Sequence, residues 1–257
     1  MAKWELSAKD TAIALTVAGD RPCIVFLGRS GKENFAAEPA CVRLPRRYIA
    51  GQAKIAPKWE FAQAKEGEVD GGAYVELCFR DPEGGLEVRS RWEACGGLGA
   101  IFHRLRLDNR TGDSAIVYQP EALDVKLGTG GPGEVSYMRM GQSTKTEALC
   151  DRYALDVWTK PEGGEDTGFV PLVALRSAGG EGVYIGGRWD SGRIWVRGVD
   201  CGGIYAKIKA GPPDDFSAVL APGEHYEVTA FAGVFSGDID MGGFLESFGK
   251  NYLTYSI

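Results

Sequence analysis

The stretch from Gly71 to Leu127 alternates apolar and polar residues with a period of two, and that rhythm limits the chain to a few folds. Tyr74–Arg80 sets Val75, Leu77 and Phe79 on one side and Tyr74, Glu76, Cys78 and Arg80 on the other. After the turn Asp81-Pro82-Glu83-Gly84-Gly85, the run Leu86–Glu93 opposes Leu86, Val88, Ser90 and Trp92 to Glu87, Arg89, Arg91 and Glu93. Ile101–Leu107 separates Ile101, His103, Leu105 and Leu107 from Phe102, Arg104 and Arg106. A turn over Asp108–Asp113 then leads into a fourth run, Ala115–Tyr118. Side chains of a strand point alternately to its two faces. Such runs, bounded by Gly, Pro, Asn and Asp, specify an antiparallel meander with one buried and one wet face.

The remaining segments repeat the theme. Trp4–Leu6 and Thr11–Val17, then the turn Ala18–Pro22 into Cys23–Leu27, predict an N-terminal hairpin. Tyr153–Trp158, Phe169–Leu175, Gly182–Trp189, Arg193–Arg197, Ile204–Lys207 and Tyr226–Phe235 read as further strands, and 37 Gly with 12 Pro supply the turns between them. Only Phe244, Leu245, Phe248 and Tyr252 recur at helical spacing. No compositional break divides the chain. The expectation is an all-β domain over residues 1–243 and the start of a connector helix over 244–257.

A formal charge of −6 disfavours nucleic acid, which calls for a basic surplus. No apolar run approaches the roughly 18 residues of a membrane span, and Met1-Ala2-Lys3-Trp4-Glu5 lacks a signal-peptide pattern, so a cytoplasmic location is expected. The six cysteines, Cys23, Cys41, Cys78, Cys95, Cys150 and Cys201, include no C-x-x-C, which predicts reduced thiols filling small apolar gaps. Two histidines cannot make a histidine-rich metal site, and no metal is expected. Gly128-Thr129-Gly130-Gly131-Pro132-Gly133 satisfies G-x-G-x-x-G to the letter. The motif works only where a helix N-terminus follows, and Val135–Met140 has no helical period; no dinucleotide or other cofactor is expected.

With 35 acidic residues, carboxylate pairs arise by chance, so counting acids locates no catalytic centre. Glu121 with Asp124, and Glu76 with Glu87 across a hairpin, are the pairs whose spacing suits two-acid chemistry; the arginines around Glu76 and Glu87 favour ion pairing there instead. Three arginines in Arg43–Arg47 can clamp a carboxylate or phosphate, or line an ion-paired edge. Aromatic residues are the better carbohydrate contacts, because a sugar's apolar face stacks on Trp while its hydroxyls meet Asp and Arg. The candidates are Trp195, Trp189, Asp190, Arg188, Arg193 and Trp158.

Several features in order carry a resemblance. They are Val75–Trp92 with its Asp81-Pro82-Glu83-Gly84 turn, the Leu105–Asn109 strand end, and Gly186–Arg197 around Trp189-Asp190-Ser191-Gly192-Arg193. Leu220-Ala221-Pro222-Gly223-Glu224 and Phe235-Ser236-Gly237-Asp238 complete them. Together they resemble the N-terminal β-supersandwich domain of family 36 glycoside hydrolases, the α-galactosidases. The resemblance implies a two-layer antiparallel sandwich of the galactose-mutarotase-like kind, with a (β/α)8 barrel following it and a galactoside-type carbohydrate as ligand. In that family the catalytic aspartates sit on the barrel, which takes about 250 residues of its own, so no position here inherits them. The main expectation is therefore an accessory domain, non-catalytic alone, packing on a barrel or an oligomer partner. The alternatives are a free-standing glycoside hydrolase or sugar epimerase working on the sandwich's concave face, and a carbohydrate-binding module. In mutarotase-like folds a histidine on the concave sheet donates a proton, which makes His103 a catalytic candidate beside Glu121 and Asp124; a hydrogen-bonded, partly buried histidine is the plainer role.

Overall fold

Strands that gather their apolar side chains on one face must cover that face, and this chain does so with two layers of sheet. The computed structural model describes residues 2–36, 40–69, 72–118, 121–137, 145–148, 154–159, 172–187, 192–199, 203–210 and 217–237. It begins with β1 (Lys3–Ala8), β2 (Thr11–Ala18), β3 (Arg21–Arg29) and β4 (Ala40–Cys41), a four-stranded sheet in that order. β5 (Tyr48–Ala50) and β6 (Ala53–Ile55) precede the meander of β7 (Glu60–Val69), β8 (Gly72–Arg80), β9 (Leu86–Cys95) and β10 (Ala100–Asn109). Next come β11 (Ala115–Tyr118), β12 (Glu121–Gly128), β13 (Gly133–Tyr137), β14 (Lys145–Ala148) and β15 (Ala154–Thr159). β16 (Leu172–Ser177), β17 (Glu181–Gly187), β18 (Gly192–Val199), β19 (Gly203–Ala210), β20 (Ser217–Leu220) and β21 (His225–Ser236) complete the set.

The large layer is a nine-stranded antiparallel sheet ordered β14-β13-β16-β17-β21-β10-β9-β8-β7. Three four-stranded sheets face it: the N-terminal one, β20-β11-β5-β6, and β12-β19-β18-β15. Val75, Leu77, Phe79, Val88, Trp92, Ile101, Leu105 and Leu107 enter the main core from the large sheet, as their alternation predicts. Leu6 and Leu15, then Tyr48 and Val117, then Leu123 and Val125, close the core from the three smaller sheets. Burial of each such side chain stabilises the fold by about 1.5–3 kcal/mol. Among the described residues no helix is long and apolar enough to cross a membrane.

The opposite face of the large sheet departs from the expected wet surface. Its β8–β10 half is charged. Around Phe102, however, lies a second apolar cluster in which Phe231, Tyr184, Leu172 and Ala174 are buried as well. Two glycines on this face sit under aromatic rings of the neighbouring strand: Tyr184 lies opposite Gly233, and Phe235 opposite Gly182. A Cβ on Gly233 would come 2.1 Å from Tyr184 Oη, so the ring occupies the space the glycine vacates.

The β9–β10 register rests on a short loop, closed where Leu98 N and Gly99 N both donate to Cys95 O at 3.1 and 2.9 Å. It sets Trp92 opposite His103 and Arg91 opposite Arg104; a slip by one residue would exchange core and charged faces throughout. At the far end of β10, the buried Asn109 amide donates to Asp113 O at 2.8 Å and Leu220 O at 2.9 Å, and its carbonyl oxygen accepts from Thr111 N at 2.9 Å. β7 is an outer strand of the large sheet, paired on one side only, with a bulge between Phe61 and Gln63 and mostly exposed side chains.

Two sequence expectations need correction or placement. Cys23 and Cys41 are not free thiols: they lie opposite each other on β3 and β4 and form a disulfide. Cys78 and Cys95 are free and buried, and burial pushes both thiols up. Cys150, Cys201 and the helix expected over 244–257 lie outside the described residues. The Gly128–Gly133 loop leads straight into a strand, β13, so no helix N-terminus follows it to hold a pyrophosphate.

Candidate functional site

Backbone register gathers five of the sequence candidates onto one small sheet. Across β12-β19-β18-β15, Asp124 pairs with Lys207, Lys207 with Trp195, and Trp195 with Asp156. The neighbouring row runs Glu121, Lys209, Arg193, Trp158 by the same pairings. Lys207 and Lys209 are two residues apart, as are Trp195 and Arg193, so both rows belong to one face of this sheet. Leu123, Val125 and Leu127 of β12 face the core, so on β12 these rows occupy the other face, where Asp124 is itself buried. Trp189, Asp190 and Arg188 lie outside the described residues.

Glu121 and Asp124 are three apart in sequence and would ordinarily point to opposite faces. A β-bulge between Glu121 and Leu123 inserts Ala122 as the extra residue and restores both acids to the same side. A bulged residue drops out of the ladder, so its carbonyl needs another partner. His103 supplies it, donating from Nδ1 to Ala122 O at 2.7 Å. Since a carbonyl only accepts, Nδ1 carries the proton and Nε2 is the acceptor. It takes the hydroxyl of Ser90 at 2.8 Å, and Ser90 Oγ in turn accepts Trp92 Nε1–H at 3.0 Å. Trp92 also stacks on the imidazole, with centroids 4.1 Å apart.

His103 is 1% exposed. Burial pushes its pKa down to about 4, against the upward pull of the Ala122 hydrogen bond. A neutral ring with both nitrogens engaged inside the core is a tie between the two layers and offers no proton to a ligand. It lies on the inner side of the bulge, and Glu121 and Asp124 on the outer side.

The two acids differ in setting. Asp124 is 2% exposed and its Oδ2 lies 3.5 Å from Arg43 Nη1, while Arg43 N reaches Asp124 O at 3.4 Å. The arginine segment thus contributes an ion pair to this strand. Glu121 is partly exposed. Glu76 and Glu87 stand four register positions apart, each opposite an arginine: Glu76 faces Arg91 and Glu87 faces Arg80. Glu87 accepts from Arg80 Nε at 3.0 Å and Arg89 Nε at 2.9 Å. Burial pushes its carboxyl up, but those two arginines outweigh burial and hold it below the usual range. His225 is exposed at the start of β21. Among the described residues no three of His, Cys, Asp or Glu are grouped to hold a metal.

Sequence reasoning overlooked Lys207, Lys209 and Asp156, which complete the two rows. Alternation within Ile204–Lys207 hinted at the lysine face, but register alone puts Lys207 between Asp124 and Trp195.

No family model and no curated protein matches the sequence. Solved structures match the fold. The family 36 α-galactosidase AgaA of Geobacillus stearothermophilus aligns at TM-score 0.72 and 12% identity, over 96% of this chain and 42% of that one. The α-galactosidase of Lactobacillus brevis aligns at TM-score 0.69 and 9% identity, over 95% and 42%. A galactose mutarotase related enzyme from Lactobacillus acidophilus aligns at TM-score 0.61 and 11% identity, over 93% of this chain and 99% of that one. The chain spans about 42% of the length of the α-galactosidases it matches. At such identities the likeness establishes the fold: an all-β, two-layer antiparallel sandwich shared with α-galactosidases and mutarotase-like proteins.

Proposed function

We propose that this chain is the β-supersandwich accessory domain of a carbohydrate-active protein, non-catalytic alone, that packs on a catalytic barrel or on another copy of itself. The observation that carries this reading is the asymmetry of coverage: 96% of this chain corresponds to 42% of an α-galactosidase. Trp195, Trp158 and Arg193, with Glu121, are its proposed carbohydrate contacts, a reading supported by the strand register that sets these positions in neighbouring rows of one sheet. A cytoplasmic location belongs to the same proposal, against which the Cys23–Cys41 disulfide weighs; cell fractionation tests it, and recovery of the protein outside the cytoplasm overturns it.

A second reading has its own support, because the mutarotase-related enzyme matches over 99% of its length. On that reading the chain acts alone on a free sugar. One experiment separates the two: the purified chain is assayed on α- and β-linked nitrophenyl glycosides and, by polarimetry, on freshly dissolved galactose. The accessory reading expects neither turnover. Hydrolysis or mutarotation that disappears on changing a single Asp or Glu would overturn it. Binding to galactosides that is lost in Trp195→Ala supports the assigned contacts, and binding that ignores the change removes them.

A further inference from the structure

The charged half of the large sheet's second face contains an arrangement unrelated to the small-sheet rows. Arg91 lies directly opposite Arg104 across β9 and β10, and Arg89 directly opposite Arg106. Like charges facing each other across an antiparallel pair repel, so each pair needs compensation. Arg89 and Arg106 have it. Arg106 donates to both oxygens of Asp108 at 2.8–3.1 Å, and Arg89 to Glu87 at 2.9 Å.

Arg91 and Arg104 have it only in part. Arg91 Nε is 3.3 Å from Glu93 Oε2 and Arg104 Nη1 is 3.8 Å from Glu227 Oε1, within ion-pair range but without hydrogen-bond geometry. The Nε atoms of both are buried with no hydrogen-bond partner. Among the described residues neither guanidinium makes a hydrogen bond, although each carries five N–H donors. Arg91 is also braced, its guanidinium carbon 3.9 Å from the centroid of the Tyr74 ring. Both arginines line a cleft of about 300 Å³.

We propose that Arg91 and Arg104 form an oxyanion-binding site for a small molecule bearing a carboxylate or a phosphate. Two facing guanidiniums with unspent donors match the two oxygens of such a group, and ligand binding supplies the hydrogen bonds that the neighbouring glutamates do not make. Glu76, Glu93 and Glu227 share the cleft, while Arg89 and Arg106 are engaged by Glu87 and Asp108, so Arg91 and Arg104 are the cleft's cations with donors to spare. The glutamates can accept hydroxyls, which points to a hydroxylated acid or a sugar phosphate. At this volume the cleft is at the small end of ligand sites. The assignment holds whether the chain is an accessory domain or acts alone.

Calorimetric titration of the whole chain at low salt, with inorganic phosphate, galacturonate and galactose in turn, tests it. Saturable binding of phosphate or galacturonate at least about tenfold tighter than galactose, weakening as salt rises, is expected. Phosphate alone identifies a phosphate site, and galacturonate alone a carboxylate site. Arg91→Leu and Arg104→Leu each lower affinity about tenfold or more, whereas Lys32→Leu, an exposed cation outside the cleft, leaves it unchanged. If either variant fails to fold, the wild-type Nε–Hε resonances decide: those of Arg91 and Arg104 shift on titration. Absence of binding by both anions, or binding that persists in folded Arg91→Leu and Arg104→Leu proteins, overturns the proposal.

Discussion

Replacing His103 by leucine tests whether the imidazole ties the layers together as a neutral ring. At neutral pH the substitution removes the bonds to Ala122 O and Ser90 Oγ and leaves the carbonyl of the bulged residue buried without its partner. Two hydrogen bonds at about 1 kcal/mol each, with a further 1–2 kcal/mol for the orphaned carbonyl, give a loss of about 3 kcal/mol. The wild-type ring contributes differently as pH changes. Its folded pKa, about 4, lies below the ordinary value of 6.5, so between those values the unfolded chain binds the proton and the folded one does not. Stability is therefore fully present above about pH 6.5 and declines as pH falls to about 4, by roughly 3 kcal/mol in all. His103→Leu has no such proton to take up. The gap between wild type and variant should shrink from about 3 kcal/mol near pH 7.5 to near zero at pH 4. Urea unfolding followed by tryptophan fluorescence measures it, and carboxylates elsewhere cancel in the difference. A gap that stays constant across this range would refute a buried, neutral His103.

Other changes follow from single contacts. Gly233→Ala drives a methyl into Tyr184, which is buried and cannot swing aside; a loss of about 1–3 kcal/mol and a lower melting temperature are expected. Cys23→Ser opens a disulfide whose partners are 18 residues apart, which by chain entropy costs about 3 kcal/mol; dithiothreitol should lower the wild-type melting temperature and leave that of the variant unmoved. Glu87→Gln weakens charge-assisted bonds from Arg80 and Arg89, about 2 kcal/mol by denaturant titration at neutral pH. Because the Glu87 carboxyl is held below its ordinary value, its contribution is present above that value and lost on acidification, so wild type should lose more stability than the variant as pH falls below 4.5. Asn109→Ala strands the turn groups that its amide serves, and about 2–4 kcal/mol should disappear from the unfolding free energy.

What the sequence disclosed was what a strand's period carries. The faces of Val75, Trp92, His103 and Leu105 follow from alternation alone, because each is decided by immediate neighbours. Partnership across strands is another matter. Nothing in Arg91 or Arg104 announces that they face each other; that depends on how the Gly96–Gly99 loop closes. The insertion at Ala122 is equally silent, since one extra residue leaves no compositional trace, yet it decides that Glu121 and Asp124 share a side. Cys23 and Cys41 illustrate the same gap, for their spacing suits many arrangements and only the β3–β4 pairing brings them together. Phe102 broke the expected polar face because a sheet this wide has room for a second apolar cluster behind the first.

The outer position of β7 has a consequence for how this protein is kept at high concentration. Ten residues of backbone lie along a rim where a further chain can add. Glu60, Lys65, Glu66 and Glu68 stud that rim, and the kink at Phe61–Gln63 spoils its straightness, so end-to-end stacking of molecules into fibrils is opposed. Neutralising those charges is the change most apt to turn a clear solution into a gel.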